Sequence, residues 1–152
     1  MNTKEMSYTK IFDNLKALNI EERLDLMKSG YEYVLSILTP ICRSKASARA
    51  LFIMFMSTFM FADEFIEPSD INLLIDFFKD ELSGEELLHI LHVADDSKEK
   101  IINGCDEFIL KNEYEFLNNL LILGITICSS DGKITENEES IALHYLNVYM
   151  NK

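Results

Sequence analysis

Residues 119–146 read NLLILGITICSSDGKITENEESIALHYL, and residues 51–78 read LFIMFMSTFMFADEFIEPSDINLLIDFF. A shift of 68 positions brings the two into register. Thr58 then falls on Thr126, Asp63 on Asp131, Ile66 on Ile134 and Asp70 on Glu138. Each copy is a run of apolar residues, a short acidic turn, and a segment with apolar residues at helical spacing. The apolar runs, Leu51 to Phe61 and Leu120 to Cys128, have almost no polar position. Such a helix belongs at the centre of a domain, wrapped by others. The pattern predicts two helical hairpins, each built on a buried central helix, with Phe55, Phe59, Leu121 and Ile125 in the core and Ile66 and Ile134 buried beneath their turns.

The rest of the chain has the same periodicity. Asn19 with Glu22, and Ser83 with Glu86, have capping-box spacing and predict helix starts. Leu24, Met27, Tyr31, Leu35 and Leu38 form one stripe of a helix expected to end at Pro40. Ile11, Phe12, Leu15 and Leu18 make a weaker stripe in residues 1–18. Leu87, Ile90, Leu91 and Ala94 form a further inward face, as do Ile101, Cys105, Phe108 and Ile109, and a break falls near Lys111–Asn112. Two Pro, five Gly and no strand-like alternation complete an all-α reading. The expected architecture is one multihelical domain of seven or eight helices with an internal duplication. Residues 1–18 form an N-terminal helical segment and residues 19–152 the helical domain proper.

Composition narrows the function. The 152 residues carry a formal charge of −12, the wrong sign for gripping a phosphate backbone. Residues 1–62 are net +2 and residues 63–152 net −14, with the split at the first acidic turn. The partners of that acidic part are therefore cations, basic protein surfaces or the chain's own N-terminal third. The basic cluster Arg43, Lys45 and Arg49 lacks a Gly-rich loop and reads as a linker whose charges meet the acidic remainder. The start, MNTKEMSYTK, has no apolar core of a signal peptide, and the longest apolar run is too short to span a bilayer; a cytoplasmic protein is expected. Cys42, Cys105 and Cys128 are dispersed and read as buried thiols. Phosphate-binding, dinucleotide, zinc-protease and C-x-x-C motifs are all missing, so no enzyme is expected. On the helix after Ser83, Glu85, His89, His92 and Asp96 share a polar face. Imidazoles one turn apart can share a zinc or nickel ion, but on a wet helical face they are ordinarily just solvated.

The acidic turns carry the one candidate site. Asp131-Gly132-Lys133-Ile134-Thr135-Glu136-Asn137-Glu138 matches the back half of a calcium loop, D-G-x-I-x-x-x-E. The front half fails, because Ile127 and Ser129 stand where carboxylates should be. An ordinary EF-hand is excluded, which leaves two readings. In one, the turn is a joint: Thr135 and Glu138 form a capping box, Gly132 takes a left-handed backbone, and Asp131 ties down turn amides. In the other, Asp131 and Glu138 are the better half, and Asp63 and Asp70 the weaker half, of a divalent-cation site for calcium, magnesium or manganese.

The two motifs, Ala62-Asp63-Glu64-Phe65-Ile66-Glu67-Pro68-Ser69-Asp70 and Ser130-Asp131-Gly132-Lys133-Ile134-Thr135-Glu136-Asn137-Glu138, resemble those of the tellurite-resistance TerB-like family over about residues 20–150. The resemblance implies an all-helical duplicated fold with two central helices and an acidic, metal-binding surface. It also implies a link to bacterial stress response or to adaptor modules of larger proteins. The first copy departs from the family pattern, with Glu64 in place of Gly and Asp70 in place of Glu.

Overall fold

A computed structural model describes residues 3–63 and 65–152; the substitution of Glu64 for Gly in the first motif lies outside the described residues. Among the described residues the chain forms eight helices and no strand: α1 (Thr3–Lys16), α2 (Ile20–Cys42), α3 (Lys45–Met60), α4 (Pro68–Phe78), α5 (Gly84–Asp95), α6 (Lys98–Lys111), α7 (Tyr114–Cys128) and α8 (Glu136–Met150). The capping boxes at Asn19/Glu22, Ser83/Glu86 and Thr135/Glu138 all form. Ser44 caps α3 by accepting from the Ser47 amide at 3.1 Å, and Pro68 begins α4 at a position where no amide is needed.

Two helix ends differ from expectation. Proline does not stop α2, which runs on to Cys42 and closes through Arg43 in the left-handed region (φ 64), whose amide donates to the Thr39 carbonyl at 2.8 Å. Pro40 lies in the last turn and both it and Ser36 are exposed, so the one backbone bond it removes is lost at a solvent-facing position. The first central helix begins at Lys45, six residues ahead of its apolar run at Leu51, because Ser44 supplies the cap, and it ends at Met60.

α3 and α7 are the central pair. α7 packs against α1, α2, α3, α4, α6 and α8; α3 packs against α2, α5, α6, α7 and α8. From Ala48 to Met60 and from Phe116 to Cys128 no residue is exposed. Phe55, Phe59, Leu121 and Ile125 are all buried, as the apolar runs require. Each such side chain contributes about 1.5–3 kcal/mol by leaving water. The crossing of the two helices is close at Gly124, where a Cβ would overlap the Phe59 ring. α1 joins the same core through Tyr8, Phe12 and Leu15, and the Tyr8 hydroxyl donates to Asn118 Oδ1 at 2.9 Å. Cys105 and Cys128 are buried, Cys42 half-buried, and all three are free thiols.

The inward stripe of α2 begins one residue earlier than its apolar pattern indicates. Arg23, only 1% exposed, precedes Met27, Tyr31, Leu35 and Leu38, while Leu24 is half-buried. The Arg23 guanidinium donates to the carbonyls of Lys16 (3.2 Å), Leu18 (3.1 Å) and Thr126 (2.6 Å) and to Ser129 Oγ (2.9 Å). One side chain thus binds carbonyls that the ends of α1 and α7 leave without intrahelical partners.

Candidate functional site: the interlocked acidic turns

The two turns lie against each other. In the second, α7 ends at Cys128 and Gly132 takes φ +85, a conformation that costs other residues strain. Asp131 Oδ1 accepts from the Lys133 amide at 3.1 Å. Thr135 Oγ1 accepts from the Glu138 amide (3.1 Å), and Glu138 Oε1 accepts from the Thr135 amide (2.8 Å). Every polar device predicted for this turn as a joint is present.

The first turn is closed from outside. Glu67, its helix-capping residue, makes no side-chain cap bond. Asp63 reaches across to the second turn, where Oδ2 accepts from Thr135 Oγ1 at 2.8 Å and Oδ1 from Asn137 Nδ2 at 2.9 Å. Asp70 also turns to its neighbour. Its Oδ1 accepts from Ser130 Oγ at 2.6 Å, and Ser130 stands in turn 3.0 Å from Ser69 Oγ. Asp70 Oδ2 is buried and has no hydrogen-bond partner among the described residues.

Burial separates the four predicted carboxylates into unlike roles. Asp70 is 0% and Glu138 4% exposed, whereas Asp131 is exposed and Asp63 half-buried. The expected plugs, Ile66 and Ile134, are only half-buried, although both pack on the core. The places beneath the turns belong to Asp70 and Glu138 instead. Burial pushes the Asp70 carboxyl up to about 7; Asp131 and Glu67 add to the shift, while the Ser130 bond and Arg23 oppose it. Glu138 is likewise pushed up to about 7, mainly by burial and further by the charges of Asp70 and Asp63, against its bonds to Thr135. The Cys128 thiol, buried and facing the charges of Glu138, Asp70 and Asp131, is held protonated.

Chemically, this end of the molecule concentrates negative charge at low solvation. A proton, a cation or a basic side chain brought there is favoured. Arg23 is a buried cation of the chain itself in this region. Its charge is felt by both Asp70 and Asp131, although its direct acceptors are neutral. Among the described residues no three His, Cys, Asp or Glu side chains gather in an arrangement that would hold a metal ion. That includes the α5 stripe, where His89 and His92 are exposed and His92 lies 3.9 Å from Asp96. Lys45 and Arg49 of the basic cluster approach Glu81 at 3.7 and 3.8 Å, so those charges do meet the acidic part of the chain.

Residue types alone did not reveal Arg23 and Ser130 as parts of this site. Arg23 stands at core spacing, four residues before Met27, and a charged residue in such a stripe is the signal that points to a buried anchor. Ser130 had no comparable signal, because its role depends on where α4 delivers Asp70.

Comparison with protein-family models, with curated proteins and with solved structures gives no match. Among the described residues no helix is long and apolar enough to cross a membrane.

Proposed function

We propose that this chain is a non-enzymatic acidic helical module, of the kind the TerB-like resemblance implies, that takes up a divalent cation at the interlocked turns. The observation that carries the reading is Asp70 Oδ2, a fully buried carboxylate oxygen without a partner among the described residues, on a residue whose charge reaches Glu138 from the opposite turn. A buried carboxylate left half-satisfied is costly, and a cation is one of the few things that satisfies it. Asp70 and Glu138 are the inner ligands in this reading, with Asp63 and Asp131 at the rim. Two inner carboxylates suit magnesium or manganese, which keep part of their water shell, better than calcium, which wants six or more oxygens. Titration calorimetry of chelator-treated protein with calcium, magnesium, manganese and zinc tests this. A saturable heat with one of the first three is expected, together with a rise in Tm that the double change Asp131→Asn with Glu138→Gln abolishes.

A second reading, an interaction or adaptor module whose turns are purely structural, is favoured by a different observation. Asp63, Asp131 and Glu138 each already accept hydrogen bonds that close a turn, and Arg23 already supplies a positive charge nearby. On that reading millimolar metal leaves Tm unchanged, and the acidic face serves a basic protein partner. A Tm that stays flat with all four metals decides for it.

A further inference from the structure

Asp70 is wholly buried, so an ion needs a way in. A cavity of about 170 Å3 lies between α4 and the start of α2. It is lined by Ser69, Asn72, Leu73 and Asp76 of α4, by Ile20, and by Ser130 of the second turn. Ser69, Asn72 and Asp76 stand three and then four residues apart, so they share one face of α4. Asp76 and Asn72 are exposed, and Ser69 and Ser130 half-buried. Asp70 comes next, with Oδ1 2.6 Å from Ser130 Oγ. The cavity thus leads from an exposed carboxylate to within one hydroxyl of the buried one, and it has room for several waters.

The other approaches suit a cation less. A second opening also ends on Ile20 and Ser130, but its most buried lining residue is Arg23, a fixed positive charge, and its carboxylate, Glu21, is exposed. Over the outer face of the turns, Asp63 is held by Thr135 and Asn137, and Glu138 Oε1 by the Thr135 amide, so the carboxylates met there are already engaged. In the first cavity the charged residue among the described lining residues is Asp76. A cation is drawn to that mouth and repelled from the one that Arg23 lines.

Resting on the reading of the turns as a cation site, we propose that Ser130 is a ligand of that cation and that the ion reaches Asp70 through this cavity, past Asp76. The spacing fits. Adjacent ligands of an octahedral ion held at about 2.0–2.1 Å lie about 3 Å apart. Ser130 Oγ is 2.6 Å from Asp70 Oδ1 and 3.0 Å from Ser69 Oγ. An ion seated against these oxygens replaces the hydrogen bonds among them. A hydroxyl carries two lone pairs besides its proton, so Ser130 can face the ion without giving up Asp70. Every donor on the path is oxygen or amide, which selects magnesium or manganese and disfavours thiophilic metals.

The test titrates manganese into the chelator-treated full chain by calorimetry. Ser130→Ala should weaken binding by about tenfold and Asp76→Asn by about threefold, while Glu99→Gln, an exposed carboxylate on α6, should leave it within about 1.5-fold. Ser130→Cys distinguishes a ligand from a structural serine. A thiolate at that position should bind cadmium with a charge-transfer absorption beyond that of wild type, and Ser129→Cys, at the serine that meets Arg23 instead, should not. In wild-type protein, magnesium should shift the amides of residues 69–76 and of Ser130, a readout that needs no variant to fold. Wild-type affinity in either Ser130→Ala or Asp76→Asn, no added cadmium absorption in Ser130→Cys, or shifts confined to residues 131–138 would each overturn the proposal and leave the cation site standing. An absence of saturable heat with the wild-type chain would remove the cation site and this inference with it.

Discussion

The hairpin α3–α4 and the hairpin α7–α8 share one sequence pattern and complete their turns in different ways. The second is self-sufficient. Gly132 makes the reversal, Asp131 ties it, and Glu138 folds back to cap the helix it begins. In the first, Asp70 occupies the position of Glu138 but is one methylene shorter. Among the described residues it makes no capping bond, takes Ser130 of the other turn, and is left with an unpartnered oxygen. Asp63 is likewise held by Thr135 and Asn137 of the other turn. Asp70 in place of Glu138, together with Glu67 in place of the capping Thr135, leaves one joint dependent and the other supporting.

The largest test of that asymmetry concerns what holds the end of each central helix. The carbonyl of Thr126 and the hydroxyl of Ser129 are bound by the buried Arg23. In the first repeat the Phe61 carbonyl accepts from the partly exposed Lys98, at 3.3 Å. Arg23→Met should cost about 3–5 kcal/mol in chemical denaturation, because it strands several buried acceptors. Lys98→Met should cost under about 1 kcal/mol. Equal costs would mean that the two ends are held alike.

Next comes the crossing of the two repeats. Gly124→Ala drives a methyl into the Phe59 ring, which is fully buried and packed against Tyr145, and should lose about 2–3 kcal/mol. A small change there would show that α3 and α7 can slide apart.

The pH dependence follows from the buried carboxyls. Asp70 and Glu138 are both pushed up to about 7, above their unfolded values of roughly 4. Such a group binds its proton more tightly in the native state, so its contribution is complete below about pH 4 and is lost as pH rises through about 7. Metal-free protein should therefore lose Tm between about pH 5 and pH 8. Asp70→Asn should flatten that fall and gain on the order of 2 kcal/mol at pH 8. A Tm that climbs over this range would mean that Asp70 is ionised and well paired, and the contrast between the turns would fail.

The smallest effect separates the caps themselves. Thr135→Val removes both the helix cap and the donor to Asp63, and should cost about 1 kcal/mol. Glu67→Ala, at the cap position of α4 where no side-chain bond is made, should stay within about 0.5 kcal/mol.

Much of this was readable along the chain, since helices and caps depend on neighbours three and four residues away. The apolar runs in Leu51–Phe61 and Leu120–Cys128 fixed which helices are central, and Thr135–Glu138 gave a cap that formed as its spacing required. Pro40 misled because proline in a last, solvent-facing turn loses only one bond. Ile66 and Ile134 lie less deep than their apolar type predicts, because Asp70 and Glu138 are the more buried residues of the two turns.

What the sequence determined by itself is local and periodic: the all-α fold, the duplication, the central pair, and the closure of the second turn. Only the tertiary structure decided that Asp70 is buried with an unpartnered oxygen, that Asp63 serves the opposite turn, and that Arg23 is an anchor rather than a surface charge. The physical reason is separation. Ser130 and Asp70 are 60 residues apart, Thr135 and Asp63 72, and Arg23 and Thr126 103. Their meeting depends on how α2, α3 and α7 cross, and no periodicity within a segment encodes that crossing.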